Sequence, residues 1–154
     1  MGLQKLIVRT LMKLPESWIL KLAGGEPVVI DGRTMDPRVQ LLAAQGAKAP
    51  SMTTLPIEEA RKNADYGLAM LDGKPRRTVA VLNRTIPGPG GDLHVRVYTP
   101  AGATGPLPGI VYYHMGGCVI GGLQTCDTFC SILADDCRAI VVSVDYRLAP
   151  ENKF

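Results

Sequence analysis

Residues 109–144 of the chain read GIVYYHMGGCVIGGLQTCDTFCSILADDCRAIVVSV. The two ends of this stretch, residues 109–113 and 139–144, are apolar and rich in β-branched side chains without alternation, which is typical of strands buried on both faces. Between them, residues 127–136 place apolar side chains at helical spacing. The order strand, loop, helix, strand predicts one right-handed crossover between two parallel strands.

A hairpin is predicted just before this crossover. Residues 78–86 and 93–99 are strand-like runs joined by residues 87–92, PGPGGD, a connection dense in turn formers. In the second run Leu93, Val95 and Val97 alternate with His94, Arg96 and Tyr98. This alternation predicts a half-buried antiparallel hairpin, with His94 exposed to solvent. An antiparallel hairpin leading into a parallel sheet is a mixed α/β architecture.

The first half of the chain is predicted to be helical. Apolar side chains recur at helical spacing over residues 3–22, which one proline divides into two short helices. Two more helices are predicted, one opening at Asp36 and stopping at Gly46, the other opening at Pro56 and stopping at Gly73. We therefore expect a helical N-terminal cap region over residues 1–73. Residues 74–154 are expected to hold the first strands of a core that is incomplete at its C-terminus.

Composition and charge exclude several classes of protein. Of the 154 residues, 46% are hydrophobic and 20% are charged, which is a globular composition and not a disordered one. The net charge is +3, but the basic side chains are scattered and aromatics make up only 5%. Nucleic acid is therefore not an expected partner. No apolar run reaches the length of a membrane span, and three cations and a proline interrupt any signal-peptide core, so a cytoplasmic protein is expected.

Residues 3–22 allow two interpretations. Their apolar side chains share one helical face, and the cations Lys5, Arg9, Lys13 and Lys21 lie mostly on the other. The segment could lie on a membrane surface, or it could cover a hydrophobic groove of the same protein. Because four cations around a single tryptophan make a weak membrane anchor, the groove is favoured.

The four cysteines do not predict a metal site. They stand at Cys118, Cys126, Cys130 and Cys137, with no CxxC pair and no zinc-ligand spacing. In a reducing compartment such thiols behave as small hydrophobic side chains. Neither a metal ion nor another cofactor is expected.

A glycine-rich loop follows the first buried strand and reads HMGGCVIGG over residues 114–122. The spacing lacks the GxGxxG of a dinucleotide site, and Leu123 stands where a P-loop needs lysine. Two adjacent glycines after a strand can bring unhindered N–H groups to a substrate oxygen, as an oxyanion hole does. An ordinary glycine turn fits this segment equally well.

Two motifs resemble the hormone-sensitive-lipase-like esterases, bacterial family IV of the α/β-hydrolases. HMGG at residues 114–117 resembles the His-Gly-Gly-Gly oxyanion loop of that family. VVSVDYRLAPE at residues 141–151 is nearly identical to the segment that follows its fourth strand. Weaker likeness brings the covered range to about residues 34–154. The resemblance implies the N-terminal half of an α/β-hydrolase fold with a helical cap.

The resemblance also implies a reaction and a set of roles. Family members hydrolyse carboxylic esters through a Ser-His-Asp triad, so a small-molecule ester is the expected partner, while the oligomeric state is left open. Gly116 and Gly117 would donate N–H groups to the oxyanion, and His114 and Met115 would support the loop. Cys118 replaces an aromatic residue and would line the pocket. Met115 replaces a glycine, which would cost about 1–3 kcal/mol if a positive φ were needed there.

The triad itself is not found in the sequence. The four serines are Ser17, Ser51, Ser131 and Ser143, and none lies in a Gly-x-Ser-x-Gly elbow. We therefore expect the N-terminal portion of an ester hydrolase, which carries the oxyanion loop without the triad and is inactive alone. The outer edge of the third strand should then be unpaired. The alternatives are a non-catalytic ligand-binding module and a lipid-surface module.

Overall fold

The computed structural model describes residues 2–153, in two compact units that divide between Ala60 and Arg61. The first unit holds three helices and a short two-stranded hairpin. Its elements are α1 (Gly2–Leu11), α2 (Glu16–Leu22), β1 (Val29–Ile30), β2 (Arg33–Thr34) and α3 (Pro37–Gly46). Helix α4 (Ile57–Leu71) crosses the division. The four predicted helices of this region are therefore confirmed.

Helix α3 begins as its sequence predicts. The Asp36 carboxylate accepts hydrogen bonds from the N–H groups of Arg38 and Val39, at 2.8 and 3.4 Å, and Pro37 occupies the first turn. One turn later, the buried side chain of Gln40 donates to the Glu26 carbonyl at 2.8 Å and accepts from the N–H group of Val28 at 3.0 Å. A single buried amide thus holds the segment that leads into the β1–β2 hairpin.

The second unit is built on a four-stranded sheet. Its strands are β3 (Val79–Gly88), β4 (Gly91–Pro100), β5 (Gly109–Tyr113) and β6 (Ile140–Val144), and α5 (Asp127–Asp136) lies between β5 and β6 in the chain. The spatial order is β3-β4-β6-β5. Strand β4 is antiparallel to both neighbours, and β5 is parallel to β6. The predicted hairpin and crossover are confirmed, and β5 is an edge strand within residues 2–153.

The core of the second unit lies between the sheet and α5. The buried side chains of Cys126, Cys130 and Ala134 pack against Tyr98 and Val141. Both cysteines are free thiols, and burial raises the pKa of Cys130 to about 12. A thiol with that pKa stays protonated at neutral pH, so Cys130 acts as a small hydrophobic side chain here.

Two burial predictions are wrong. Strand β5 is not buried on both faces, since Val111 and Tyr113 are 60% and 65% exposed. Only the other face of β5, with Ile110 and Tyr112, packs against the α5 core. Tyr98, expected on the solvent face of β4, is fully buried because α5 covers that face, whereas His94 is exposed as predicted.

A charged cluster fastens the start of α5 to the sheet. Arg96 donates to both carboxylate oxygens of Asp127, at 2.6 and 2.8 Å, and the Tyr98 hydroxyl donates to Asp127 at 2.5 Å. Burial, followed by the hydrogen bond and charge of Asp127, raises the pKa of Tyr98 well above its usual value. Asp127 is therefore the shared acceptor of the Arg96 guanidinium and the Tyr98 hydroxyl at the edge of the core, where a buried donor without an acceptor is costly.

No helix within residues 2–153 combines the length and the apolar character needed to cross a bilayer. The longest helix, α4, has 15 residues and carries two glutamates in its first turn.

Replacing Asp127 tests this cluster. We expect Asp127→Ala to lower the free energy of unfolding by about 2–4 kcal/mol, because the Arg96 guanidinium and the Tyr98 hydroxyl lose their shared acceptor. Urea unfolding monitored by circular dichroism measures the loss. The control is Asp136→Ala on the same helix, which removes a more exposed ion pair with Arg76 and should cost less. Equal losses in the two variants would contradict the role given to Asp127.

Candidate functional site

The glycine-rich loop and the segment after β6 lie side by side. Strands β5 and β6 are parallel neighbours in which Tyr113 is paired with Val144. The carboxyl ends of the two strands therefore lie side by side at the same end of the sheet. Residues 114–122 and 145–151 both begin there. This end of the strands is where open α/β sheets bind ligands.

His114 and Tyr146 join the two segments. His114 is 3% exposed, and its Nδ1 lies 2.9 Å from the Met115 carbonyl oxygen. The Tyr146 hydroxyl donates to the His114 carbonyl at 2.6 Å, and the two rings stack with centroids 4.2 Å apart. Nδ1 donates to the Met115 carbonyl, because a carbonyl oxygen only accepts, and Nε2 is buried without a partner among residues 2–153. The histidine thus binds backbone of its own loop.

Only glycine fits at residue 116. Gly116 has a φ of +130°, and a Cβ there would lie 2.0 Å from the carbonyl oxygen of Ile120. The Gly116 carbonyl accepts from the N–H groups of Val119 and Ile120 at 3.0 and 3.1 Å, so the loop folds back on itself. This close approach of the backbone is the physical reason for glycine in the motif.

Gly117 continues the same turn at a position where there is room for a side chain. It has a φ of +59°, and a Cβ there would meet nothing within 4 Å. Within residues 2–153, the N–H groups of Gly116 and Gly117 donate to no protein acceptor. The loop therefore presents two adjacent backbone donors beyond the carboxyl end of β5, and such donors can stabilise a negatively charged oxygen.

The backbone at Met115 and Cys118 shows where the loop adopts a left-handed conformation. Met115 is exposed and has no positive φ, so the strain considered for this position does not arise. Cys118 is the residue with left-handed backbone, at φ +60°, and its carbonyl accepts from the N–H group of Ala149 at 2.8 Å. Cys118 is exposed to solvent. Lining of a substrate pocket by Cys118 stays a prediction.

An apolar cleft of about 350 Å³ adjoins the loop on the side of Met115. It is lined by Leu68, Leu71, Asp72, Tyr112, Met115, Thr125, Cys126 and Phe129. The Tyr112 hydroxyl donates to the Cys126 sulfur at 3.3 Å, so these two polar groups of the cleft are paired with each other. What remains facing the space is mostly hydrocarbon, which suits an apolar group and not an ion.

Arg61 on helix α4 fastens the loop from the other side. Its Nε donates to the Val119 carbonyl and one terminal nitrogen to the Ala149 carbonyl, both at 2.9 Å. The guanidinium also binds both carboxylate oxygens of Glu151, at 2.8 and 2.7 Å. One side chain therefore ties α4, the glycine loop and the segment after β6 together. The hydrogen bonds from Arg61 lower the pKa of Glu151.

No serine of residues 2–153 is hydrogen-bonded to a histidine. Ser131 donates to the Thr128 carbonyl at 2.7 Å, and Ser143 is fully buried in β6. His94 bonds Thr85, at 3.0 Å. The described residues thus contain the two loop donors but no activated serine nucleophile.

Comparison with known proteins identifies the fold. A family model described as the alpha/beta hydrolase fold matches residues 110–154. The ester hydrolase EH1AB1 from the metagenome of Lake Arreo superposes with a TM-score of 0.68 at 35% identity, over 92% of this chain and 40% of that one. A Pyrobaculum calidifontis esterase superposes with a TM-score of 0.63 at 38% identity, over 73% of this chain and 37% of its own. The chain thus has part of an α/β-hydrolase fold.

The curated proteins that this chain is similar to include carboxylic ester hydrolases. The chain is 36% identical over 135 residues to the carboxylic ester hydrolase LipN of Mycobacterium tuberculosis, covering 85% of this chain and 35% of LipN. It is 52% identical over 63 residues to the carboxylesterase NlhH of the same organism, covering 41% of this chain and 20% of NlhH. These matches support the resemblance to the hormone-sensitive-lipase-like esterases, family IV, and the chain spans little more than a third of the length of LipN.

The Arg61–Glu151 pair predicts a pH dependence of stability. A carboxyl group whose pKa is lowered by folding stabilises the fold above its unfolded pKa, and this contribution is lost as the pH falls through its folded pKa. Wild type should therefore be more stable than Glu151→Gln at pH 7, and the difference should shrink below about pH 4, where the carboxylate becomes protonated. Thermal unfolding of both chains from pH 7 to pH 3 measures this.

The matched control is Glu59→Gln, which removes an exposed carboxylate of α4 that lies outside this ion pair. At pH 7 the loss in Glu151→Gln should exceed the loss in Glu59→Gln. A Glu151→Gln deficit that is the same at pH 7 and pH 3 would show that the ion pair with Arg61 does not stabilise the loop.

Proposed function

We propose that this chain supplies the cap region and the oxyanion loop of a carboxylic ester hydrolase that works by acyl transfer. The observation that carries the proposal is the backbone at Gly116, where a close approach to Ile120 excludes any side chain and leaves two adjacent N–H groups unpaired within residues 2–153. Similarity to the carboxylic ester hydrolase LipN supports the same chemistry. The substrate is a small-molecule carboxylic ester.

In this mechanism Gly116 and Gly117 donate hydrogen bonds to the oxygen of the tetrahedral intermediate. His114 and Met115 support the loop, through the contact of the His114 ring with the Met115 carbonyl. His114 does not serve as the general base, because its Nδ1 is used in this contact and its Nε2 is buried. Cys118 lines the pocket wall.

The donors act mainly on the transition state. The carbonyl oxygen of an ester gains negative charge only as the tetrahedral intermediate forms, so fixed N–H groups stabilise that state more than the bound substrate. Loss of one donor from such a site costs about 3 kcal/mol of transition-state stabilisation. The bonds from Arg61 and Tyr146 keep the loop in place before the substrate arrives, so no reorganisation is needed during the reaction.

The chain alone is expected to be catalytically inactive, because its described residues hold no activated serine. With p-nitrophenyl acetate and butyrate, the steady-state rate of the 154-residue chain should equal that of the heat-denatured chain. Acylation of the exposed thiols of Cys118 and Cys137 would give a burst without turnover, and the double variant Cys118→Ala, Cys137→Ala should remove it. A saturable rate that survives in this double variant and is lost in Gly116→Ala would contradict the absence of a catalytic centre.

The oxyanion role is tested in a hybrid in which this chain is followed by the C-terminal part of NlhH. The hybrid should hydrolyse p-nitrophenyl butyrate. Gly116→Ala should then lower kcat by about 10²–10³ with little change in KM, since the displaced donors act on the transition state.

The matched control in the hybrid is Gly46→Ala, because a Cβ at Gly46 meets nothing within 4 Å and its helix lies outside the loop. This variant should keep the kcat of the hybrid. A Gly116→Ala hybrid with full kcat, or equal losses in both variants, would rule out the proposed role of the loop.

A further inference from the structure

The peptide group between Val119 and Ile120 is held on both of its sides. Its carbonyl accepts a hydrogen bond from the Nε of Arg61 at 2.9 Å. Its N–H group donates to the carbonyl of Gly116 at 3.1 Å. Because a peptide group is planar, these two contacts together fix its orientation. Arg61 therefore holds the peptide group that in turn holds the carbonyl of Gly116.

The Gly116 carbonyl belongs to the same peptide group as the N–H of Gly117. In a planar trans peptide, the carbonyl and the N–H point in opposite directions. The Gly116 carbonyl points into the turn, towards the N–H groups of Val119 and Ile120. The N–H of Gly117 must therefore point out of the turn, so the direction of this donor is set by the contacts of the Gly116 carbonyl.

These contacts form a chain of hydrogen bonds that all run in one direction. A guanidinium N–H donates to a carbonyl, and the N–H of that peptide group donates to the next carbonyl. The N–H of the second peptide group, that of Gly117, is left for a ligand. Hydrogen-bonded groups in such a chain polarise one another, which makes each donor stronger. The positive charge of Arg61 acts in the same sense, because it polarises the first carbonyl of the chain.

The guanidinium of Arg61 is itself fixed. It binds both carboxylate oxygens of Glu151, at 2.8 and 2.7 Å, and donates to the Ala149 carbonyl at 2.9 Å. The side chain is 21% exposed, which limits competition from water. These contacts use the planar fork of the guanidinium, a geometry that a lysine ammonium does not offer. The start of the hydrogen-bond chain is thus held as firmly as its two peptide groups.

We propose that Arg61 is a positioning residue for ester hydrolysis, which aims and polarises the N–H of Gly117 through the Val119–Ile120 peptide group. Arg61 touches neither the substrate nor the reacting atoms. The inference rests on the proposed oxyanion role of Gly116 and Gly117, and it adds the residue that sets the direction of one donor. Since small displacements of a reacting geometry cost large factors in rate, loss of Arg61 lowers turnover although the donor itself remains.

Amide proton shifts of the 154-residue chain test the hydrogen-bond chain without any activity. In Arg61→Met, the amide protons of Ile120 and Gly117 should both move upfield by about 0.2–0.5 ppm, because the peptide groups lose the polarising donor at the start of the chain. Two-dimensional NMR of ¹⁵N-labelled protein measures this. Arg61→Lys should shift both protons in the same direction, and it decides the result where Arg61→Met does not fold.

The matched control is Lys62→Met, which removes an exposed cation at the next position of α4. It should leave both amide protons at their wild-type positions, because this side chain lies outside the hydrogen-bond chain. Amide protons of Ile120 and Gly117 that stay in place in the Arg61 variants, or that move equally in Lys62→Met, would overturn the proposal.

The hybrid with the C-terminal part of NlhH tests the effect on the reaction. Arg61→Met should lower kcat for p-nitrophenyl butyrate by about 10- to 100-fold, with KM within about twofold of the parent hybrid. Active sites are counted by titration with a p-nitrophenyl phosphonate, because a loss of stability lowers their number and not the kcat of each. Lys62→Met should keep kcat within about twofold, since surface changes of this kind have small effects.

Combination with Gly116→Ala shows whether Arg61 acts through the loop donors. If both changes act on the same donors, Arg61→Met should lower kcat by less than about threefold in the Gly116→Ala hybrid. An equal factor in both backgrounds, or an unchanged kcat in Arg61→Met, would show that Arg61 does not position the donor. An inactive parent hybrid would instead contradict the proposed function, and the amide shifts would still decide whether Arg61 acts on Gly117.

Discussion

The parallel pairing of β5 with β6 is the interaction on which the candidate site depends. Because Tyr113 and Val144 are partners in this ladder, the loops that follow them leave the sheet together. His114 can then stack on Tyr146, and Arg61 can reach carbonyl groups of both segments. Without this pairing, the glycine loop would have its own internal turn but no fixed position relative to the rest of the fold.

Local sequence signals predicted most of the fold, and long-range packing explains the failures. Asp36 and Pro37 mark the start of α3 because a helix cap is decided by neighbouring residues. The β1–β2 hairpin was missed although Asp31 and Gly32, both with positive φ, form a known hairpin signal. The burial of Tyr98 could not be predicted from alternation, because it depends on where α5 packs.

The residues of the candidate site likewise fall into those that the sequence could reveal and those that it could not. Gly116 and Gly117 could be found because adjacent glycines after a strand have a physical reason that is visible in the sequence. Arg61 could not, since its acceptor Val119 is 58 residues away and its partner Glu151 is 90 residues away. Tyr146 is 32 residues from the histidine it binds. No periodicity or spacing connects such residues, and only the folded chain brings them together.

The outer edge of β5 is unpaired within residues 2–153 and is open to a further strand. A strand added in parallel to that edge would lie about 4.8 Å from β5, and its carboxyl end would leave the sheet next to the glycine loop. A side chain in the turn after such a strand would then stand beside the N–H groups of Gly116 and Gly117. In such an arrangement, one strand spacing would set the distance between that side chain and the N–H groups of Gly116 and Gly117.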